Sequence, residues 1–147
     1  MLKKKTPSVK PHETDLKKSG IKRQIETAVA NLYYTSETDA EVLPFVGKEA
    51  ETITINEIRN QTQTAPDSPI EEKDFTEFFA RLTTKQDWFG DEEKATAKKF
   101  TDLKNLIEAN LRNVSVFKIG KIQIDIYVVG LDAENILMGI RTKAVET

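Results

Sequence analysis

The strongest constraint on the fold comes from the last third of the sequence, where apolar and polar residues alternate with a period of two. Four apolar residues share one side of this stretch: Ile122, Ile124, Ile126 and Val128. Such alternation is typical of a β-strand with one face on the core. Residues 114–119 and 122–129 therefore predict a hairpin, with Gly120 and Lys121 as a two-residue type II′ turn. A third strand is expected over residues 137–145.

Helical periodicity marks the part of the sequence before this block. Apolar residues at helical spacing predict three helices: one from an N-cap at Ser19 to about Tyr33, a short one capped by Asp74, and a long one over residues 91–111. Glu77 stands three residues after Asp74, as in a capping box.

Two short strands are expected between the first two helices, over residues 41–46 and 52–55, with a turn at 47–49. Pro44 restricts the first of these strands to the edge of a sheet or to a bulge. Residues 60–72 have the composition of a loop. Helices first and a block of strands last predict an α+β fold, in which helices cover a mixed sheet that ends in an antiparallel β-meander.

The residues needed for several kinds of chemistry are missing from the sequence. It has no cysteine, which excludes disulfide scaffolds, thiolate zinc sites and cysteine nucleophiles. The single histidine, His12, falls in a stretch expected to be disordered, which argues against a histidine general base or metal site. The six glycines stand apart from one another, so there is no glycine-rich phosphate loop. We therefore expect a protein that is not an enzyme and has no cofactor of its own.

The net charge of −2 is the sum of two regions of opposite sign. Residues 1–23 have eight basic and two acidic side chains, and the remainder has 14 basic and 22 acidic ones. Residues 1–18 are too polar to form a core, so we expect a disordered basic arm followed by a single domain over residues 19–147. The acidic domain disfavours nucleic acid as the main ligand and suits a partner with a cationic surface. No apolar run approaches the length of a membrane span, and we expect a cytoplasmic protein.

Three residues remain as candidates for a functional role. Trp88 lies in a polar connection between two helices, where it is either core packing or an interface anchor. Glu37 follows the end of a helix, where a carboxylate gains nothing from the helix dipole. Thr147 comes directly after a strand, so we expect a hydroxyl and a carboxylate held there by the sheet.

A set of short motifs resembles one known family. The motifs are Phe78-Phe79-Ala80-Arg81, Thr84-Lys85-Gln86-Asp87-Trp88-Phe89, Asp91-Glu92-Glu93, Asn110-Leu111-Arg112-Asn113, the stretch Ile124 to Gly130, and the last six residues, Thr142 to Thr147. Together they resemble the nuclease A inhibitor family, which are protein inhibitors of a sugar-non-specific DNA/RNA nuclease. The similarity covers about residues 19–147 and is strongest after Asp74.

The resemblance implies a fold and a site. It implies a three-layer α/β/α sandwich similar to the PR-1 fold. Thr147 would offer its hydroxyl to the catalytic Mg²⁺ of the nuclease, and Glu37, within the family's Ser-Glu pair at Ser36-Glu37, would enter the same active site. Asp87 and Trp88 would form a second contact patch.

The resemblance predicts a free monomer that inhibits a non-specific Mg²⁺-dependent nuclease one-to-one, without binding nucleic acid or membrane. Two alternatives remain open at this stage. The first is a nucleic-acid-associated regulator that uses the basic arm 1–18. The second is an inhibitor-like domain that binds a different protein.

Overall fold

The computed structural model describes the backbone of residues 13–147 and the side chains of residues 20–147. The elements in chain order are α1 (Glu13–Ala28), β1 (Tyr33–Thr35), β2 (Asp39–Glu41), β3 (Leu43–Glu49), α2 (Ile55–Gln61), β4 (Ile70–Lys73), α3 (Phe75–Thr83), α4 (Asp91–Asn110), β5 (Arg112–Ile119), β6 (Gln123–Leu131) and β7 (Ile136–Val145). The α+β class predicted from the order of periodicities is confirmed.

Five of the strands form one antiparallel sheet in the order β3-β7-β6-β5-β4, and β1 pairs with β2 in a separate hairpin. The prediction of a mixed sheet is wrong, since every strand pair described is antiparallel. In sequence, helices α3 and α4 connect β4 to β5. The two helices return the chain to the end of the sheet where β4 stops, so β5 runs antiparallel to β4. A single crossover helix would instead have favoured a parallel pair. As Pro44 predicts, β3 is an edge strand.

Alternate residues of the central strands point into two different cores, because side chains of a strand alternate between its faces. One core joins α1, α3 and α4 to one set of strand residues, and its fully buried members include Phe79, Leu103, Ile107, Ile126 and Val128. The other core lies under α2 and includes Ile58, Phe117, Val129 and Leu137. The strands pack very closely at Gly139 of β7, where an added Cβ would collide with the carbonyl oxygen of Val128.

Local capping signals account for two of the helices. The Asp74 carboxylate accepts a hydrogen bond from the Glu77 amide at 2.9 Å, so α3 begins as predicted. Helix α4 also forms where it is expected, with an acidic first turn at its positive end. None of the helices in the described part of the chain has the length and apolar character needed to cross a membrane.

The start of α1 differs from the prediction. The helix begins at Glu13, so Ser19 is an interior residue and not the N-cap, and residues 13–18 are helical rather than disordered. Most residues of this extension favour helix, which explains why the helix starts earlier than predicted. Residues 1–12, including His12, lie outside the described residues.

Three further predictions are wrong because other contacts decide the structure of these segments. Residues 52–55 do not form a strand, because the Thr54 hydroxyl accepts a hydrogen bond from the Glu57 amide and starts α2. The expected turn at 47–49 is part of β3, which continues through an irregularity between Val46 and Glu49. Within the expected loop 60–72, Ile70–Lys73 pairs with β5 as the edge strand β4.

The β5–β6 connection is not a two-residue turn. Ile119 pairs with Asp125, which makes the connection longer than predicted. The Gly120 amide donates to the Pro69 carbonyl at 3.0 Å, so the segment before β4 decides the path of this turn. As a consequence Ile122 is 58% exposed and does not join the core, whereas the other three alternating residues do.

Candidate functional site

Glu37 and Thr147 meet at one exposed point of the surface, which we call the Glu37–Thr147 corner. Glu37 lies in the bend between β1 and β2, and Thr147 lies two residues after the end of β7. The Glu37 Oε2 atom accepts two hydrogen bonds, from the Thr147 amide at 2.8 Å and from the Thr147 hydroxyl at 2.9 Å. The fold therefore joins two residues that are 110 positions apart in sequence.

The bend that carries Glu37 is held by its own short-range hydrogen bonds. The Thr35 hydroxyl donates to Asp39 Oδ1 at 2.8 Å, and the Ser36 amide donates to the Thr38 carbonyl at 2.9 Å. These bonds close the β1–β2 hairpin around residues 36–38 and leave the Glu37 side chain at its tip.

Residues 145–147, here called the 145–147 segment, are held from two sides. On the β6 side, the Glu146 amide donates to the Ile122 carbonyl at 2.9 Å, and the Glu146 carboxylate forms an ion pair with Lys118 at 3.0 Å. On the hairpin side, the Val145 amide donates to Ser36 Oγ at 3.0 Å. The Thr147 hydroxyl therefore projects from a segment that both neighbours restrain.

The corner presents hard oxygen atoms to the solvent. Glu37 and Thr147 are both exposed, and Glu37 Oε1 accepts no hydrogen bond from the described residues. The Thr147 hydroxyl donates its hydrogen to Glu37. The lone pairs of the hydroxyl oxygen therefore remain available to a metal ion or to a hydrogen-bond donor. Residues 20–147 contain no group of three or more His, Asp or Glu side chains that could hold a metal ion by themselves.

Asp87 and Trp88 occupy the two central positions of a turn between α3 and α4, here called the Asp87–Trp88 turn. The turn is closed by the Phe89 amide, which donates to the Gln86 carbonyl at 3.0 Å. Trp88 is 73% exposed, and its ring stands edge-on against the half-buried Phe89 ring at 4.7 Å between centroids. Of the two interpretations left open by the sequence, core packing is wrong for Trp88.

The structure thus brings together two of the four predicted site residues and places the other two side by side elsewhere. Within the described part of the chain, neither Asp87 nor Trp88 makes a hydrogen bond to Glu37 or Thr147. Sequence reasoning assigned no role to Ser36 or Lys118, although both hold the 145–147 segment. For Ser36, the only signal in the sequence is its position next to Glu37. For Lys118 the sequence contains no signal, because its ion pair with Glu146 depends on the strand register.

The fold and the site define an acidic α+β domain with two exposed surface features, the Glu37–Thr147 corner and the Asp87–Trp88 turn. Residues 19–147 match the family of nuclease A inhibitor-like proteins, and the chain belongs to that family. The resemblance seen in the sequence is confirmed over the same residues. At the level of the family, the chain is a nuclease inhibitor with a nuclease as its protein partner. A search of curated proteins finds no significant match to the sequence.

Proposed function

We propose that the protein inhibits a sugar-non-specific, Mg²⁺-dependent DNA/RNA endonuclease by inserting the Glu37–Thr147 corner into the nuclease active site. The observation that supports this proposal is the direct hydrogen bonding between Glu37 and Thr147. It creates a compact group of oxygen atoms that resembles a phosphate in charge and ligand type but has no bond that the nuclease can cleave.

The oxygen atoms of the corner suit the metal of such a nuclease. Mg²⁺ prefers hard oxygen ligands and retains several waters, one of which a hydroxyl or carboxylate oxygen can replace. The Thr147 hydroxyl and the Glu37 carboxylate are ligands of this kind, and both are exposed. The metal belongs to the nuclease, and the inhibitor supplies the atoms that approach it.

The charge of the domain supports the same partner. A nuclease that cleaves any sequence recognises phosphates, so its substrate groove is cationic. The chain after residue 23 has 22 acidic and 14 basic residues. An excess of negative charge raises the rate of encounter with a cationic groove and opposes binding to nucleic acid itself.

The Asp87–Trp88 turn would provide a second contact with the nuclease. Charge alone distinguishes partners poorly, whereas a tryptophan that becomes buried in an interface contributes much of the binding energy. Trp88 has most of its surface free for such a contact. The Asp87 carboxylate has no hydrogen-bond or ion-pair partner in the described region, so it is free to pair with a cation of the nuclease.

The proposal includes finer features of the fold and of the complex. Helical residues line cores on both faces of the sheet, which supports a three-layer α/β/α arrangement similar to the PR-1 fold. We expect the free protein to be a cytoplasmic monomer that binds the nuclease one-to-one and has no cofactor of its own.

The decisive experiment is a nuclease protection assay. A fixed amount of a Mg²⁺-dependent non-specific nuclease is mixed with increasing amounts of the protein, and residual cleavage of plasmid DNA is measured. We expect cleavage to disappear near one equivalent. Thr147→Val should weaken inhibition at least about ten-fold, the size expected for a lost hydrogen bond to a charged group, and Thr147→Ser should retain inhibition.

Thr101→Val is a matched control, because the Thr101 hydroxyl bonds only within α4, to the Ala97 carbonyl. If Thr147→Val inhibits as well as the unaltered protein, the proposed role of the hydroxyl is wrong. Removal of residues 1–12, which leaves α1 whole, separates the alternatives. An inhibitor keeps its potency without them, whereas a nucleic-acid-associated regulator loses DNA affinity together with its salt dependence.

A further inference from the structure

Two backbone groups of Val145 point away from the main sheet. Val145 faces Gln123 of β6, and the next amide along, that of Glu146, donates to the Ile122 carbonyl. In an antiparallel ladder this places Val145 in a non-hydrogen-bonded pair, so its own N–H and C=O are directed to the opposite side. The edge strand β3 begins at Leu43, opposite Arg141, and does not reach Val145.

The hairpin tip supplies the partners that β3 cannot provide. Ser36 Oγ accepts a hydrogen bond from the Val145 amide at 3.0 Å, and the Glu37 amide lies 3.4 Å from the Val145 carbonyl oxygen, to which it donates. The Ser36 hydroxyl is then able to donate to the Thr38 carbonyl at 3.3 Å. Ser36 thus links the bend that carries Glu37 to the strand that carries Thr147.

We propose that Ser36 is a positioning residue, which fixes the Glu37–Thr147 corner in its binding geometry before any partner arrives. The inference rests on the proposed function, because it concerns the same corner. The Ser36 hydroxyl oxygen is the acceptor that the Val145 amide meets at this point. An alanine would leave that half-buried amide without a partner, and the hydrogen bonds of Glu37 to Val145 and Thr147 would be the ties left between the hairpin and residues 145–147.

The benefit of this link is pre-organisation. A free segment must lose conformational entropy when it binds, and the loss for the backbone of a single residue corresponds to about a ten-fold change in affinity. Rigidity before binding removes that cost. The ion pair between Lys118 and Glu146 restrains the segment from the β6 side but does not contact Glu37. Ser36 restrains the segment on the hairpin side, in addition to the direct hydrogen bonds between Glu37 and Thr147.

The test compares Ser36→Ala with Ser36→Thr, which keeps a hydroxyl, and with Thr101→Ala as a control for the loss of a half-buried hydroxyl. Two readouts need no nuclease: hydrogen exchange of the Val145 amide and the ¹H–¹⁵N heteronuclear NOE of Thr147. We expect Ser36→Ala to exchange Val145 at least about ten-fold faster and to lower the Thr147 NOE, while the melting temperature stays close to that of the unaltered protein. Ser36→Thr should restore both readouts.

Inhibition of the nuclease is then measured for the same variants, and we expect Ser36→Ala to inhibit about ten-fold more weakly. Unchanged exchange and NOE values in Ser36→Ala would overturn the positioning role. Faster exchange with unchanged inhibition would also overturn it, since the order of the segment would not matter for binding. If the unaltered protein inhibits no nuclease of this type, the proposed function fails, and the exchange and NOE data still decide whether Ser36 fixes the corner.

Discussion

Replacement of Trp88 by alanine should separate binding from stability. Trp88 is 73% exposed, so about 180 Å² of a side chain of about 250 Å² is free to be buried by a partner. At about 25 cal/mol per Å², complete burial would contribute about 4.5 kcal/mol, before the cost of ordering the side chain. We therefore expect Trp88→Ala to weaken binding by about 2 kcal/mol, or about thirty-fold in the inhibition constant.

The same geometry predicts a small effect on folding. The covered part of Trp88 rests on the Phe89 ring, and an aromatic pair of this kind contributes about 1 kcal/mol. For a chain of this length, the melting temperature should fall by less than about 4 °C. The two measurements are a titration of nuclease activity with each variant and a calorimetric melt. Ile55→Ala is the matched control, because Ile55 is an exposed apolar residue that starts α2 on the other face of the sheet.

Three outcomes would refute the reasoning about Trp88. An inhibition constant within two-fold of the unaltered protein would show that the Asp87–Trp88 turn is not a contact surface. A melting temperature lowered by 10 °C or more would show that Trp88 supports the fold, contrary to its exposure. Equal weakening of inhibition by Ile55→Ala would mean that loss of any exposed apolar side chain has this effect.

Two further predictions concern the sheet. Burial, and then the nearby Asp125 carboxylate, raise the pKa of the Tyr127 phenol above its ordinary value of 10.0, so its contribution to stability is present below pH 10 and is lost as the pH rises through the raised pKa. In a Tyr33→Phe/Tyr34→Phe variant, absorbance at 295 nm should titrate at higher pH in the folded protein than in urea, and coincident curves would contradict this. Gly139→Ala should destabilise by about 3 kcal/mol or more because its Cβ meets the Val128 carbonyl, whereas Gly20→Ala, with open space in α1, should stabilise by up to about 1 kcal/mol. Urea unfolding measures both changes, and equal free energies of unfolding for the two variants would contradict the packing argument.

Elements with strong local signals could be predicted from the sequence. Helix α3 begins where Asp74 caps it, and the apolar residues of β6 from Ile124 onward alternate into the core as expected. The failures occur where a competing contact decides. Thr54 has a side chain suited to a strand, but its hydroxyl caps a helix. Gly120 has the signature of a tight turn, but its amide bonds to Pro69, 51 residues earlier.

Less of the candidate site than of the fold could be predicted from sequence patterns. No periodicity relates Glu37 to Thr147, because their contact depends on how the β1–β2 hairpin lies against the end of β7. Resemblance to a family suggested both residues, and their roles in inhibition remain predictions. The contact of Ser36 with Val145 could not be predicted, because it depends on which backbone groups of Val145 face away from β6. That in turn depends on the strand register, which a single sequence does not give. The exposure of Trp88 could be decided only by the structure.

The two edges of the five-stranded sheet bear on how this protein behaves when it is concentrated. An open sheet can grow from molecule to molecule wherever an edge strand offers unpaired backbone groups. The edge strand β4 has four residues, of which Glu71, Glu72 and Lys73 are charged. The other edge strand contains Pro44, which has no amide hydrogen to donate, and an irregular register after Val46. Both edges therefore discourage strand pairing between molecules, and we expect the protein to resist fibril-like stacking at high concentration.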